Sequence, residues 1–186
     1  MKGSFLILLQ SVCISYGITF NFQNNAASID YNSQIYDNPF TGGINYARIS
    51  WFDWDQDGDV DLFLLDEDLH FKYFENIGDQ YNHNFILVDH PINDINGVGW
   101  FYLSDMNDNG IDDIIFGTDT DFIYILLDDQ TIAPNFPIDL GSDIRSEPAV
   151  YITENEKIVL TGCKNNNFYA FNYPTGELRF IITTGD

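Results

Sequence analysis

One stretch of the chain governs the interpretation of the rest: Asp53-Trp54-Asp55-Gln56-Asp57-Gly58-Asp59-Val60-Asp61. Oxygen-bearing side chains on alternate residues can converge on one point when the backbone wraps around it, and a glycine at the sixth place permits the sharp turn. Hard oxygen ligands without histidine or cysteine favour Ca²⁺ over transition metals. The stretch therefore predicts a calcium-binding loop.

A second stretch, Asp105-Met106-Asn107-Asp108-Asn109-Gly110-Ile111-Asp112-Asp113, aligns with the first without a gap. It carries Asn where the first has Asp at two ligand positions, so we expect it to bind calcium more weakly. The predicted ligands are side chains, except for the carbonyl groups of residues 59 and 111, and comprise Asp53, Asp55, Asp57, Asp59, Asp61, Asp105, Asn107, Asn109, Ile111 and Asp113. The alternative is a pair of Asp-, Gly- and Asn-rich turns without metal.

Neither loop matches an EF-hand. An EF-hand needs flanking helices and a bidentate Glu at its twelfth position, where this chain has Leu64 and Phe116. The flanking segments are short, β-branched or aromatic, and bounded by Gly, Asn and Asp, which predicts strands. The two loops therefore belong to β-hairpins.

The chain contains a third, degenerate unit. Its strand-like segments are 148–152, 158–162 and 168–171, and its acidic loop is shortened to 153–156. Repeats of about 45 to 50 residues with several strands each favour propeller blades over an ordinary β-sandwich. We predict an all-β fold of about three four-stranded β-propeller blades, at residues 39–90, 91–140 and 141–186.

Three blades are fewer than the four to eight that typically close a ring. The interpretation we favour is a segment of a larger, seven- or eight-bladed ring. An open array or association of copies into a ring is the alternative, and an open array would expose strand edges.

Further motifs carry a family resemblance. Three motifs resemble those of the FG-GAP/VCBS repeat family of integrin-α-like propellers, in its secreted bacterial form. They are Phe116-Gly117, the motif at residues 74–78 and the blade entry at residues 39–44. The last unit resembles a quinoprotein-type, PQQ-like blade through 168–172 and 175–178, and lacks the calcium pattern. The resemblance implies structural calcium at the blade rim and a role in binding or adhesion at the cell surface.

Residues 1–17 have the pattern of a secretory signal peptide. Lys2 precedes a short apolar run, and the small residues Ser15 and Gly17 follow it. We predict cleavage after Gly17 and a secreted, cell-surface or periplasmic location; a buried first strand is the alternative. Cleavage leaves Cys163 as the single cysteine, so no intramolecular disulfide is expected.

The charge excludes several partners. The 186 residues include 29 acidic and 7 basic side chains, which give a net charge of −22. Nucleic acid and anionic membranes need clustered Lys and Arg, so neither is an expected partner. We expect an extracellular protein or glycan, further blades of a longer chain, or self-association.

No catalytic constellation is identifiable, and we expect a non-catalytic protein. Trp51, Trp54 and Trp100 could form a sugar-stacking platform, with Trp54 the best exposed, although packing between blades is the favoured interpretation. The predicted function is a secreted, calcium-stabilised propeller segment that binds protein or glycan. The alternatives are part of a carbohydrate-active, lyase-like enzyme and a structural scaffold.

Overall fold

The structure is a computed structural model, and it describes residues 29–31, 34–36, 44–89 and 95–185. These residues form fourteen strands and no helix, and therefore no helix with the length and hydropathy of a membrane span. A hairpin of β1 (Ile29–Tyr31) and β2 (Gln34–Tyr36) comes first. The predicted signal peptide lies outside the described residues.

Three four-stranded antiparallel sheets follow, each in chain order. The first contains β3 (Arg48–Phe52), β4 (Asp61–Leu65), β5 (Phe71–Asn76) and β6 (Phe85–Asp89). The second contains β7 (Val98–Ser104), β8 (Asp113–Thr118), β9 (Phe122–Leu126) and β10 (Ile138–Asp139). The third contains β11 (Ala149–Ile152), β12 (Lys157–Cys163), β13 (Asn167–Tyr173) and β14 (Leu178–Thr183). The prediction of an all-β fold built from four-stranded, propeller-type units is confirmed; the larger ring stays a prediction.

The second sheet is buried on both faces because successive side chains of a strand point to opposite sides. In β8, Ile114 and Phe116 face the first sheet, whereas Ile115 faces the third. The first core joins side chains of two sheets, namely Trp54, Phe63, Leu65, Phe71 and Tyr73 with Val98, Phe101, Ile114, Phe116 and Leu126. Each such side chain contributes about 1.5 to 3 kcal/mol when fully buried.

The second core lies between the second and third sheets. It contains Met106, Ile115, Ile123, Ile125, Ala133, Phe136, Ile144, Val159 and Phe171. Ile144 sits against Gly117 of β8 so closely that a Cβ at residue 117 would lie 2.1 Å from Ile144 Cγ2. Because Gly117 has no side chain, Ile144 and the segment before β11 can pack directly against β8.

The acidic loops lie on one rim of the stacked sheets. Residues 53–60 connect β3 to β4, and residues 105–112 connect β7 to β8. Phe52, Asp53 and Gln56 share a surface cleft with residues 109–112 of the second loop. In the third sheet the equivalent connection is a tight turn in which Thr153 N donates to Glu156 O at 2.9 Å. This turn shares a cavity with residues 106–108.

Candidate metal centre

The two acidic loops have the same backbone path. Gln56 and Gly58 have φ angles of 64° and 100°, and the equivalent Asp108 and Gly110 have 63° and 90°. Positive φ is strained for most side chains and readily adopted by glycine, which explains the glycine at the sixth place. The repeat detected in the sequence is thus a repeat of loop conformation as well.

Hydrogen bonds from backbone N–H groups to carboxylates a few residues away fold the first loop. Asp53 Oδ2 accepts from Gly58 N, Asp55 Oδ1 from Asp57 N, and Asp57 Oδ1 from Asp59 N, each at 3.1 Å. Asp side chains commonly cap their own backbone in this way. These bonds hold one oxygen of each carboxylate and direct the side chains of alternate residues to the same side.

Three of the predicted ligands of the first loop are brought together. Carboxylate oxygens of Asp53, Asp55 and Asp57 lie within 4.8 Å of one another. Asp53 Oδ1 and Asp59 Oδ1 are buried and have no hydrogen-bond partner. A buried carboxylate oxygen without a partner is costly, and a cation among these oxygens would remove that cost. The donor set therefore fits a hard divalent cation.

The environment of the Asp55 and Asp59 carboxylates in the first loop disfavours their ionised form. Burial raises the pKa of Asp55, and the carboxylates of Asp61, Asp57 and Asp53 raise it further. Burial also raises the pKa of Asp59, with Asp57 the next contributor. Like charges held close together disfavour ionisation, and a bound cation reverses this effect.

Asp59 contributes more than the predicted carbonyl group. Its side chain is only 8% exposed, and the unpartnered Oδ1 belongs to its carboxylate. Nothing in the local spacing signals this, because the seventh position of such a loop is expected to act through the backbone. Asp59 as a carbonyl ligand stays a prediction, and its carboxylate has one buried oxygen without a hydrogen-bond partner.

Hydrogen bonds to Asp61 join the first loop to the first sheet. Asp61 Oδ2 accepts hydrogen bonds from Trp54 N at 3.1 Å and Tyr73 Oη at 3.2 Å, and Asp61 Oδ1 accepts from Asn76 N at 2.9 Å. A carboxylate oxygen can accept about two hydrogen bonds, so Oδ1 retains one acceptor position. Metal ligation by Asp61 stays a prediction, whereas its structural contacts are in place.

Asp113 makes the equivalent contacts in the second sheet. Asp113 Oδ2 accepts from Met106 N at 2.7 Å, and Oδ1 accepts from Asp128 N at 2.9 Å. Asp113 is fully buried, and burial raises its pKa against the lowering effect of the Met106 and Asp128 N–H groups. The ninth residue of each loop is therefore the residue that fixes the loop to the following strands.

Hydrogen bonds from backbone N–H groups to side chains also fold the second loop. Asp105 Oδ1 accepts from Asn109 N at 3.2 Å, and its Oδ2 accepts from Gly110 N at 2.8 Å. Asn107 Oδ1 accepts from Asn109 N at 3.1 Å, and Asn109 Oδ1 accepts from Ile111 N at 2.9 Å. Ligation by these residues and by the Ile111 carbonyl stays a prediction.

Two further residues contact the second loop, and the sequence analysis did not identify either. Asp128 Oδ1 accepts from Asn107 Nδ2 at 3.0 Å and from Asn109 Nδ2 at 2.8 Å. Lys157, at the start of β12, donates to Asp105 O at 2.8 Å and to Met106 O at 2.9 Å. The repeat alignment could have found Asp128, because it corresponds to Asn76.

For Trp54 the favoured interpretation of packing between blades is confirmed, and the expectation that it is the best exposed tryptophan is wrong. Its side chain is 4% exposed and packs in the first core, where its ring lies 4.7 Å from that of Phe63. Alternation places it there, because Asp53 and Asp55 point to the loop centre. Trp51 is half exposed beside Phe85, and Trp100 lies beneath the Arg48 guanidinium.

Comparison with known proteins gives a likeness of fold only. No protein-family model matches the chain, and no curated protein matches it. Two solved structures of BBS1N in complex with ARL6DN, one soaked with lead and one with mercury, match at 14% and 15% identity with TM-scores of 0.46 and 0.45. The matches cover 77% and 78% of this chain and 58% and 56% of the BBS1N chains. This chain thus spans less than two thirds of them, and its membership of the FG-GAP/VCBS family stays a prediction.

The predicted secreted or cell-surface location is corrected at this point. The solved structures found are of BBS1N in complex with ARL6DN, and the secreted or cell-surface location is not proposed again. The expectation of an extracellular or glycan partner stays a prediction.

Proposed function

We propose that the chain is a non-catalytic propeller segment whose first acidic loop binds a structural calcium ion. The observation that supports this most directly is the cluster of Asp53, Asp55 and Asp57 carboxylates within 4.8 Å, in which Asp53 Oδ1 is buried without a hydrogen-bond partner. Carboxylate oxygens are the ligands that Ca²⁺ prefers, and this loop offers neither imidazole nor thiolate.

The proposed role of the ion is to rigidify the rim of the first sheet. The loop joins β3 to β4, and Asp61 ties it to β5 through Tyr73 and Asn76. A calcium ion held by Asp53, Asp55 and Asp57 would neutralise the repulsion among them. The folded sheet would then be more stable with calcium than without it.

Thermal unfolding of the full chain in calcium and in EDTA tests this function. Calcium at about 100 times its Kd adds about 2.7 kcal/mol if it binds only the folded state. That corresponds to a rise in Tm of about 5 to 10 °C for a chain of this size. An unchanged Tm of the wild-type chain would overturn the proposal.

The matched variants are D55A/D57A and D112A. The first removes two converging carboxylates and should abolish the calcium-dependent shift, because the remaining oxygens cannot enclose the ion. D112A removes an exposed carboxylate that is not a predicted ligand and should keep the shift. Circular dichroism in EDTA checks that both variants fold.

A second proposed role is binding of a protein partner at the groove between β3 and β7. Arg48 lies in this groove, which encloses about 520 Å³. Its Cζ lies 4.3 Å from the centre of the Trp100 ring, and it donates to Gly99 O at 3.1 Å. The other basic side chains of the described residues all pair with carboxylates: Lys72, Arg145, Lys157, Lys164 and Arg179. Arg48 is thus the cation that a partner's carboxylate could engage.

Selection from a displayed peptide library tests this role. We expect peptides with an acidic residue beside an aromatic or aliphatic one, since Ile49 and Tyr102 are exposed at the groove. R48A should lose these peptides, whereas R179A, which removes a cation paired with Glu156, should retain them. Equal binding by R48A would contradict the assignment.

A further inference from the structure

We infer that the two loops are not equivalent: the first binds the calcium ion, and the second is closed without one by hydrogen bonds centred on Asp128. This inference rests on the proposed function of the first loop. The Asn107, Asn109 and Asp128 side chains are named the Asp128 clamp below.

The sequence repeat shows a reciprocal exchange of carboxylate and amide. Aligned positions pair Asp55 with Asn107, Asp57 with Asn109, and Asn76 with Asp128. At these three positions the first unit has two carboxylates in the loop and an amide at the end of β5. The second unit places two amides in the loop and a carboxylate after it.

The contacts follow this exchange. In the second loop both amide nitrogens donate to Asp128 Oδ1, at 3.0 and 2.8 Å. In the first unit the equivalent Asn76 is engaged elsewhere: its Oδ1 accepts from Gly78 N and Asn84 N, and its Nδ2 contacts His83 Nδ1 at 3.1 Å. Among the described residues, the buried carboxylate oxygens without a partner lie in the first loop.

The clamp fixes the orientation of both amides. An amide nitrogen is a donor and cannot ligate a cation, whereas a carboxylate offers a second oxygen once the first has accepted a backbone hydrogen bond. Rotating either amide would turn its oxygen towards the Asp128 carboxylate and lose a charge-assisted hydrogen bond. The second loop therefore presents fewer unused oxygens than the first.

A cation from the next sheet already contacts the second loop. Lys157 Nζ lies 2.6 Å from Asp108 Oδ1 and donates to the carbonyl groups of Asp105 and Met106. The carboxylate of Asp105 accepts backbone hydrogen bonds through both oxygens, whereas Oδ1 of the equivalent Asp53 has no partner. Positive charge and satisfied acceptors both lower the gain from a divalent ion.

Calcium stoichiometry of the full chain, measured by isothermal titration and native mass spectrometry, tests this inference. We expect one ion per chain. Two ions would overturn the inference and leave the proposed function intact. No bound ion would instead overturn the proposed function, so the two failures are distinguishable.

Exchange variants make the test sharper. N107D/N109D/D128N gives the second unit the first unit's residues and should bind two ions, with a larger calcium-dependent rise in Tm. The reciprocal D55N/D57N/N76D should bind none. An exchanged second loop that still binds nothing would show that these three positions do not decide the difference.

The single variant D128N covers the case in which the triple variants fail to fold. Loss of the clamp carboxylate should lower Tm in EDTA and increase amide hydrogen exchange at residues 107–111, while the calcium-dependent shift stays at the wild-type value. Unchanged Tm and exchange in D128N would overturn the clamp.

Discussion

Buried carboxylates outside the loops also hold the first sheet together. Asp66 follows β4, is 3% exposed, and accepts hydrogen bonds from Tyr46 N at 2.7 Å and from Asn45 N at 3.1 Å. These bonds fasten the segment before β3 to the end of β4. The N–H of Tyr46 is the main cause of the lowered pKa of Asp66, followed by the N–H of Glu67.

The lowered pKa predicts a loss of stability in acid. The folded-state pKa lies below the unfolded value, so Asp66 stabilises the fold above the unfolded pKa of about 3.9. That contribution is lost as the pH falls through the folded-state pKa. D66N should lower Tm at pH 7 and flatten the acid side of the Tm–pH profile in EDTA.

The control for this prediction is D112N, which changes an exposed carboxylate by the same chemistry. Its profile should follow that of the wild-type chain. A D66N profile that retains the wild-type acid dependence would assign that dependence to other carboxylates.

At the scale of elements, the start of β12 is attached to the second loop. Lys157 is 9% exposed and bonds to two carbonyl groups that belong to the β7–β8 connection. The third unit lacks its own acidic loop, and its turn at 153–156 leaves Lys157 facing the second loop. One lysine therefore joins two sheets at the rim.

We expect K157M to destabilise the chain by about 1 to 3 kcal/mol, because it leaves buried acceptors without a donor. K164M is the matched control: its ion pair with Asp143 is exposed, and such pairs contribute about 0 to 1 kcal/mol. Chemical unfolding of both variants in EDTA measures the difference. Equal effects would show that the carbonyl contacts of Lys157 contribute little.

At the scale of the whole molecule, stability depends on how closely the sheets stack. Gly117 of β8 lies against Ile144, which belongs to the segment that leads into the third sheet. Protein interiors are close-packed, so one added methyl group at such a point must displace backbone or side chain. Gly117 has an ordinary strand conformation, so its requirement is steric.

G117A should therefore destabilise the chain by about 1 to 3 kcal/mol through overpacking. G162A is the matched control in β12, because its added Cβ would lie 3.4 Å from Ser146 Oγ, an ordinary contact. Chemical unfolding should show a larger loss of free energy of unfolding for G117A than for G162A. An unchanged free energy of unfolding in G117A would mean that the third sheet moves to accommodate the added methyl group without loss of stability.

The sequence by itself determined the local features of this protein. Short β-branched or aromatic segments bounded by Gly, Asn and Asp specify strands, and the spacing of Asp53, Asp55 and Asp57 with Gly58 specifies a wrapped loop. These features depend on residues a few positions apart, whose backbone geometry is nearly independent of the rest of the chain. The repeat of that pattern was sufficient to predict four-stranded units.

Only the tertiary structure decided which groups complete each loop. Asp128 reaches Asn109 from 19 residues away, and Lys157 reaches Asp105 from 52 residues away. Trp54 is adjacent to two loop carboxylates in sequence but is buried in the first core, against Phe63 and Tyr73. Such contacts depend on the stacking and register of the sheets, because hydrogen bonding and burial are set by neighbours in space rather than along the chain.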